Sequence, residues 1–182
     1  MQSITINGKT GKSRILVCES IDNLDQYIPG ERAVIITDPT VAELYGGRFP
    51  RLPTIVIGMG EKVKQLETVT QIFREFIDHE VDRDTFIVGI GGGIVCDITG
   101  FAASTFMRGL SFGFIATTLL AQVDASVGGK NGVNFEGFKN MVGVFNQPEF
   151  VLCDPEVLKT LSKAEVANGL AEVVKHALIA DR

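Results

Sequence analysis

The sequence predicts an α/β fold in which a Rossmann-like parallel sheet with flanking helices precedes the first helices of an α-helical, truncated carboxy-terminal domain. Short apolar runs without alternation, such as Ala33–Thr37 and Phe112–Ala116, are typical of strands buried on both faces of a parallel sheet. Segments with helical periodicity separate these runs, and a glycine cluster at 89–93 joins one strand to a helix. Such sheets bind ligands at the carboxyl ends of their strands, so functional residues are expected directly after each strand.

The first twenty residues predict a β-hairpin, because β-prone runs at 3–6 and 13–18 flank a turn-rich segment at 7–11. Further strands are predicted at Ala33–Thr37, 54–57, 86–88 and Phe112–Ala116. The clearest helix is predicted at 62–79. Its apolar residues recur every three or four positions and predict one stripe over the sheet: Leu66, Val69, Phe73, Phe76 and Ile77.

A last short strand at 150–153 is followed by a helix predicted over residues 163–180. This helix also carries an apolar stripe, formed by Val166, Leu170, Val173, Val174, Ala177 and Leu178. No glycine, proline or polar tail closes it, so we expect the chain to be the amino-terminal part of a longer protein. We expect residues 1–157 to form the α/β domain and residues 158–182 to begin a second, incomplete domain.

Composition excludes two classes of partner. The net charge is −5 with dispersed basic residues, which argues against nucleic acid binding. No apolar run reaches the roughly 18 residues of a membrane span, and no export signal is present, so we expect a soluble cytoplasmic protein with no membrane contact. Three widely spaced cysteines match neither a disulfide framework nor a zinc knuckle and are interpreted as reduced, mostly buried thiols.

The glycine cluster is the sharpest local motif. Glycines between a strand and a helix let backbone N–H groups approach a pyrophosphate, which the positive end of the helix also attracts. The residues concerned are Gly92, Gly93 and Ile94, with Asp97 on the first turns of the helix. The cluster departs from the strict GxGxxG pattern, and a tight turn without a ligand is the alternative.

Three charged residues follow strands but also have ordinary explanations. Asp38 is placed to accept hydrogen bonds from cofactor hydroxyls, or simply to cap the helix that follows Pro39. Glu61 and Lys64 stand three residues apart at a helix start, where they are either ligand contacts or a solvated charge pair.

The segment 101–140 places isolated charges among small and apolar residues. Such charges are costly unless they are paired or bind a ligand. Three cations with nearby amides and glycines favour an anionic substrate carrying phosphate or carboxylate, and a surface loop with ordinary lysines is the alternative. The polar residues in question are Arg108, Thr117, Thr118, Asp124, Lys130, Asn131, Asn134, Lys139 and Asn140.

On the last predicted helix, Glu172, Lys175 and His176 share one face. A carboxylate and an imidazole at this spacing can bind one metal ion, although surface charge pairs with the same spacing are common. His79, near several acidic residues at a helix end, is interpreted as a solvated or capping residue.

Several of these motifs, in this order, closely resemble the 3-dehydroquinate synthase family of sugar phosphate cyclases. The resemblance is dense from about residue 86 to 180. It is carried by the glycine cluster through Asp97, Met107-Arg108-Gly109, the run from Ala116 to Lys130, Phe138-Lys139-Asn140, Gln147-Pro148 and the run from Asn168 to Lys175.

The resemblance implies an NAD site, a metal site and a substrate site. Cofactor contacts match Asp38, Glu61, Lys64, Gly92, Gly93, Ile94, Asp97, Thr117, Thr118, Lys130, Lys139 and Thr160. Catalytic and substrate-handling positions match Arg108, Asp124, Lys130, Lys139, Asn140 and Lys175. Glu172 matches the family's one carboxylate ligand to zinc, a site that another divalent metal such as cobalt can also occupy.

The family's other two zinc ligands are histidines of the carboxy-terminal domain. This sequence contains only His79 and His176, neither of which matches those positions. We therefore expect the chain to bind NAD but to lack turnover on its own. We also expect a homodimer.

By resemblance, the intact enzyme converts 3-deoxy-D-arabino-heptulosonate 7-phosphate to 3-dehydroquinate and phosphate in the shikimate pathway, a lyase reaction in which NAD is used and regenerated. Other sugar phosphate cyclases, a glycerol-dehydrogenase-like oxidoreductase and a nucleotide-binding module without turnover are the alternatives. The run Ser126-Val-Gly-Gly-Lys130 favours dehydroquinate synthase over other cyclases, and the Asp124–Lys130 and Lys139-Asn140 patterns disfavour the oxidoreductase.

Overall fold

The computed structural model describes residues 1–8 and 11–180. Nine strands are found in these residues: β1 (Gln2–Gly8), β2 (Gly11–Val17), β3 (Ala33–Thr37), β4 (Thr54–Val56), β5 (Phe86–Gly91), β6 (Phe112–Ala116), β7 (Lys130–Phe135), β8 (Phe138–Phe145) and β9 (Phe150–Cys153). The described α-helices are α1 (Pro39–Tyr45), α2 (Leu66–Asp78), α3 (Gly93–Thr105) and α4 (Lys163–Ala180).

Seven strands form one sheet in the order β1-β2-β9-β6-β5-β3-β4. All neighbours in this sheet are parallel except β1, which pairs with β2 as an antiparallel hairpin at the edge. The predicted parallel α/β fold and amino-terminal hairpin are therefore confirmed, although Lys9 and Thr10 of the predicted turn lie outside the described residues. None of the helices in the described ranges is both long and apolar enough to span a membrane.

Apolar side chains on the two faces of the sheet form two cores. One face packs against α2 and α3 through residues such as Ile72, Phe76 and Ile98. The other packs against α1 and two 3-10 turns through Val41, Tyr45 and side chains of Ile21–Gln26 and Pro155–Thr160. Burial on both faces explains why the central strands contain unbroken apolar runs.

Two helix predictions need correction. The helix predicted at 62–79 begins only at Leu66, because Gln65 is extended (φ −149°, ψ 165°) after a 3-10 turn at Glu61–Val63. Its buried stripe is Thr68, Val69, Ile72 and Phe76, whereas Ile77, predicted to be in the stripe, is 66% exposed. Residues 69, 72 and 76 already define the face toward the sheet, and position 77 lies beside it.

The predicted helix at the end of the chain is confirmed as α4, but its apolar stripe is largely uncovered. Leu170, Val173, Val174 and Leu178 are 38–77% exposed. The helix approaches the rest of the chain through Gly169, where an added Cβ would lie 2.5 Å from Leu119 Cβ. Glycine at this position allows α4 to lie directly against the segment that follows β6.

A separate two-stranded hairpin, β7–β8, packs across α3. Asn131, in β7, is buried, and an added Cβ on Gly100 of α3 would lie 2.0 Å from its Oδ1. The Asn131 amide donates to the carbonyl oxygens of Gly129 and Asn146, at 3.0 and 2.8 Å. This hairpin therefore forms a wall beside the carboxyl edge of the sheet, where ligand sites of such folds lie.

Candidate functional site

A cleft of about 630 Å³ lies at the carboxyl ends of β3, β5 and β6. Its volume falls within the range of small-molecule and cofactor sites, roughly 300–1,000 Å³. Eight of the twelve predicted cofactor residues line it: Asp38, Glu61, Gly92, Gly93, Ile94, Thr117, Thr118 and Thr160. They come from five separate segments of the chain, so the fold brings together residues that the sequence keeps more than 120 positions apart.

Gly92 and Gly93 form the floor of this cleft, where β5 turns into α3. An added Cβ on Gly92 would lie 3.0 Å from Thr118 Cγ2, and one on Gly93 would lie 2.9 Å from Ala125 Cβ. No side chain of the described residues caps the amino terminus of α3. Its first N–H groups therefore remain free for an anion, which the helix dipole also attracts.

Asp38 both caps a helix and lines the cleft. Its Oδ1 accepts a hydrogen bond from the Val41 backbone N–H at 3.0 Å, so the capping role weighed from the sequence is confirmed. The same carboxylate borders the cleft beside α1. Capping and ligand contact are compatible here, because an ionised carboxylate has acceptor capacity beyond one hydrogen bond.

The threonines of the cleft are fixed by hydrogen bonds. Thr118 Oγ1 accepts a hydrogen bond from the Ala121 N–H at 3.1 Å, at the start of the helical segment that follows β6. Thr160 Oγ1 lies 2.6 Å from Tyr45 Oη, which also donates to the Val157 carbonyl oxygen at 3.0 Å. Tyr45, which the sequence did not suggest, thus holds the far wall of the cleft against α1.

Lys64 is a buried cation and not the solvated charge that its sequence position suggested as an alternative. The residue is 6% exposed, and its Nζ contacts Asp97 Oδ2 and lies 2.5 Å from Asn140 Oδ1. Burial raises the pKa of the Asp97 carboxyl, although the hydrogen bond from Lys64 opposes that shift. A carboxyl whose pKa burial raises in spite of a lysine partner, beside a cleft, marks a candidate functional site.

Glu61 and Lys139 are, by contrast, exposed. Their side chains form a loose ion pair with Nζ and Oε1 3.8 Å apart. Glu61 Oε1 also accepts a hydrogen bond from Asn134 Nδ2 at 2.8 Å. A pair of this kind contributes little to stability, roughly 0–1 kcal/mol, so it leaves both side chains available to a ligand.

A second cleft of about 530 Å³ adjoins the buried Lys64–Asp97 pair. It lies between α3 and the β7–β8 hairpin, and four predicted site residues line it: Asp97, Asp124, Lys130 and Asn140. Lys130 is 56% exposed, and its Nζ lies 4.0 Å from Asp124 Oδ1. An accessible ammonium at the edge of a polar cleft suits an anionic substrate.

Asp124 is the centre of an acid–base cluster. It lies in a short π-helical turn, Ala121–Ala125, a geometry found frequently at functional sites. Its Oδ1 lies 3.3 Å from His176 Nε2 and 3.9 Å from Lys175 Nζ. Lys175 also contacts Glu172, and this hydrogen bond raises the pKa of the Lys175 ammonium.

Glu172, His176 and Asp124 each place one potential metal-ligand atom within 4.8 Å of the others. Glu172 Oε2 is buried from solvent, and within the described ranges its nearest charged neighbour is the Lys175 ammonium. The Glu172–Lys175 charge pair, weighed from the sequence as an alternative to a metal site, is present beside it. Asp124 was not foreseen as a neighbour of Glu172, because almost fifty residues separate the two in sequence.

Arg108 lies apart from both clefts. Lys64, Lys139, Glu172 and Lys175 also line neither cleft, but each lies beside a residue that does. Arg108 follows the carboxyl end of α3, whereas the clefts border the amino-terminal half of that helix. Its backbone is left-handed (φ 71°), its side chain is exposed, and no ion pair joins it to any residue in 1–8 or 11–180. Within one copy of the chain, the structure does not bring Arg108 together with Lys130 and Lys175.

The family model described as 3-dehydroquinate synthase N-terminal matches residues 54–168. The chain belongs to the 3-dehydroquinate synthase family. A 3-dehydroquinate synthase from Ruminiclostridium cellulolyticum is 41% identical over 189 aligned residues, which cover 97% of this chain and 53% of the relative. The chain therefore spans about half the length of the curated relatives it matches.

Two solved structures of sugar phosphate cyclases share the fold. A 2-deoxy-scyllo-inosose synthase complexed with carbaglucose-6-phosphate, NAD+ and Co2+ is 28% identical with a TM-score of 0.85, and the match covers 100% of this chain and 52% of that one. A 2-epi-5-epi-valiolone synthase from Streptomyces hygroscopicus with NAD+ and Zn2+ bound is 29% identical with a TM-score of 0.81, covering 96% and 51%. The predicted family and fold class are confirmed.

Proposed function

We propose that this chain is the NAD-binding part of a 3-dehydroquinate synthase, the NAD- and zinc-dependent enzyme that converts 3-deoxy-D-arabino-heptulosonate 7-phosphate to 3-dehydroquinate and phosphate. One observation carries the proposal. Eight residues proposed as cofactor contacts line a single cleft, and a second cleft with Asp124, Lys130 and Asn140 lies close by, since an added Cβ on Gly93 of the first would lie 2.9 Å from Ala125 Cβ of the second. Adjacent cofactor and substrate clefts are what an enzyme needs to hold a reacting hydroxyl beside a nicotinamide.

The cleft at the end of β5 fits a dinucleotide. In this proposal, the free N–H groups at the start of α3 bind the pyrophosphate, and Gly92 and Gly93 keep the space above them open. Asp38 accepts from ribose hydroxyls, and Thr160 lines the opposite wall. When bound, NAD supplies a hydride acceptor that the reaction regenerates.

The second cleft fits an anionic sugar phosphate. Lys130 and Lys175 place two ammonium groups within 4.0 Å of Asp124 Oδ1. Contact with Glu172 raises the pKa of the Lys175 ammonium, which favours its charged form and suits it to bind anionic groups. In the proposal Lys139 and Asn140 contact the substrate from the hairpin side, and Arg108 provides a further cation.

The cluster around Glu172 fits a divalent metal in its donor set, since carboxylate oxygens and an imidazole nitrogen suit zinc or cobalt. Glu172 would hold the metal from this chain, and Asp124 and His176 are the candidates beside it. When bound, the metal supplies a Lewis acid for a substrate hydroxyl. The Lys175 ammonium already neutralises Glu172, so metal binding requires Lys175 to turn away.

We also propose that residues 1–157 form the cofactor domain and that α4 begins a second domain. The exposed apolar stripe on α4 supports this division, because such a face is normally covered in a folded enzyme. A homodimer with a small phosphorylated sugar acid as substrate completes the proposal.

Other sugar phosphate cyclases are a second candidate function, since two of them share the fold at 28–29% identity. A glycerol-dehydrogenase-like oxidoreductase is a third. In a protein extended to the full length of the relatives, we expect phosphate release from the heptulosonate phosphate without net NADH formation. Release of phosphate from a hexose phosphate instead would indicate another cyclase. Net NADH formation with a polyol would indicate the oxidoreductase.

A further inference from the structure

Asn134 joins the walls of both clefts. The residue lies in β7, is partly buried, and uses both ends of its side-chain amide. Nδ2 donates to Glu61 Oε1 at 2.8 Å, and Oδ1 accepts from the Asn140 backbone N–H at 2.9 Å. Its backbone N–H donates to the Lys64 carbonyl oxygen at 2.8 Å. One residue is thus bonded to the three segments that carry Glu61, Lys64 and Asn140.

The local backbone shows why these bonds are needed. The pairing of β7 with β8 is irregular between Val133 and Phe135, so the regular ladder is interrupted at Asn134. Asn140 adopts a left-handed conformation (φ 54°), which is less favourable than ordinary strand backbone for a residue with a Cβ. The bond to Asn134 Oδ1 holds that conformation, and in it Asn140 Oδ1 lies 2.5 Å from Lys64 Nζ.

We propose that Asn134 is a positioning residue for NAD binding, which orients Glu61 directly and Lys64 through Asn140. The inference rests on the proposed function, since both oriented side chains are proposed cofactor contacts. The role requires a neutral group that donates and accepts at once. Alanine removes both bonds, and aspartate keeps the acceptor for Asn140 but loses the donor and places a second carboxylate beside Glu61.

The test measures the Kd for NAD by calorimetry, together with the melting temperature, for the wild-type chain and variants. Asn134→Ala is expected to raise the Kd about tenfold, in line with the loss of a hydrogen bond to a charged group. Asn7→Ala is the matched control, because Asn7 is exposed on the edge strand β1, and it should leave the Kd unchanged. An unchanged Kd for Asn134→Ala, with or without a lower melting temperature, would overturn the inference.

A double-mutant cycle separates positioning from general structure. Glu61→Ala removes the partner of Asn134 Nδ2, so the double variant should raise the Kd by less than the product of the single effects. Strictly multiplicative effects would overturn the inference. If Asn134→Ala does not fold, Asn134→Asp takes its place, and there too an unchanged Kd counts against positioning. A wild-type chain that fails to bind NAD would overturn the proposed function itself, a different result from the failure of Asn134 alone.

Discussion

Two of the polar networks built around carboxylates, those of Glu19 and Asp97, differ in how the fold treats the charge. Glu19 is 8% exposed, yet hydrogen bonds from Asn23 and Tyr27 lower the pKa of its carboxyl. Asp97 has a lysine ammonium in contact with it, yet burial raises the pKa of its carboxyl. In the first network hydrogen bonds favour the charged form of the carboxyl, whereas in the second burial disfavours it.

The difference follows from what surrounds each group. The three groups that donate to Glu19, from Ser20, Asn23 and Tyr27, all lie within the short stretch 19–27. The network of Asp97 joins three distant segments, since Lys64 contacts both Asp97 and Asn140, and it borders an open cleft. The first network is complete without a ligand, whereas the second places a buried charge beside open space, the pattern that favours a ligand site.

Among the residues beside the clefts, Gly92→Val is expected to have the largest effect, which is on NAD binding. Its side chain enters the space proposed for the phosphates, and its Cβ meets only the Thr118 side chain, 3.0 Å from the methyl group. NAD binding should therefore be lost in calorimetric titrations, with the fold retained by circular dichroism. Gly47→Val is the matched control, because an added Cβ there meets nothing within 4 Å, and it should bind NAD normally. Equal affinities of wild type and Gly92→Val would contradict the cofactor assignment.

The second prediction concerns metal binding at Glu172. The Lys175 ammonium lies beside Glu172 and Asp124, where a zinc ion would have to bind. Residues 1–182 should therefore lose added zinc on dialysis. In a protein of the relatives' full length, Glu172→Gln should remove both metal and activity, because a neutral amide is a poor zinc ligand. Metal analysis of the dialysed proteins decides both points. Stoichiometric zinc retained by the present chain would contradict this expectation, and Glu172, Asp124 and His176 would be the first ligands to test.

The third prediction concerns Lys130 and Lys139, which are 56% and 73% exposed. Their ion pairs are long, so replacing either with Met should leave the melting temperature nearly unchanged. In the full-length protein kcat/KM should fall by about a hundredfold or more, because the lost charge contacts substrate or cofactor. Lys159→Met, on an exposed 3-10 turn, is the control and should keep full activity. Preserved turnover with a large drop in melting temperature would assign both lysines to the fold.

Much of the fold could be predicted from the sequence because its signals are local. The strands Ala33–Thr37 and Phe112–Ala116 and the helix Lys163–Ala180 have the predicted bounds, since unbroken apolar runs and helical spacing are properties of short windows. The predicted start of α2 was wrong because a contact with a distant part of the chain decides it. Lys64 leaves helical geometry as its ammonium reaches Asp97, which lies 33 residues away.

The site shows the same limit more strongly. The glycine turn could be recognised locally, and the lining of the first cleft followed from the family resemblance. The approach of Asp124 to His176 and the bonds of Asn134 and Tyr45 depend on contacts between segments far apart in the chain. Nothing in their local spacing distinguishes these residues from ordinary polar ones. The uncovered stripe of α4 likewise has a clear local pattern without indicating what packs on it.

The smallest expected effect tests the comparison of the two carboxylates itself, through the pH dependence of unfolding. The pKa of Glu19 is lowered in the fold, so its stabilisation is present above its unfolded value of about 4.3 and is lost as pH falls through the folded value. The pKa of Asp97 is raised, so its contribution is present below about 3.9 and is lost as pH rises through the folded value.

Glu19→Gln should therefore lower the free energy of unfolding by about 1 kcal/mol near pH 7, and by less near pH 4. Asp97→Asn should show the opposite trend, with the stability of the variant improving relative to wild type as pH rises from about 4 to 7. Urea unfolding at several pH values measures the difference in unfolding free energy between each variant and the wild type. In Asp97→Asn the loss of the partner of Lys64 changes this difference by a similar amount at every pH, so the dependence of the difference on pH still reports the Asp97 carboxyl. Slopes of the same sign for the two variants would mean that the two networks treat their charges alike, and the distinction between a structural and a ligand-directed carboxylate would then fail.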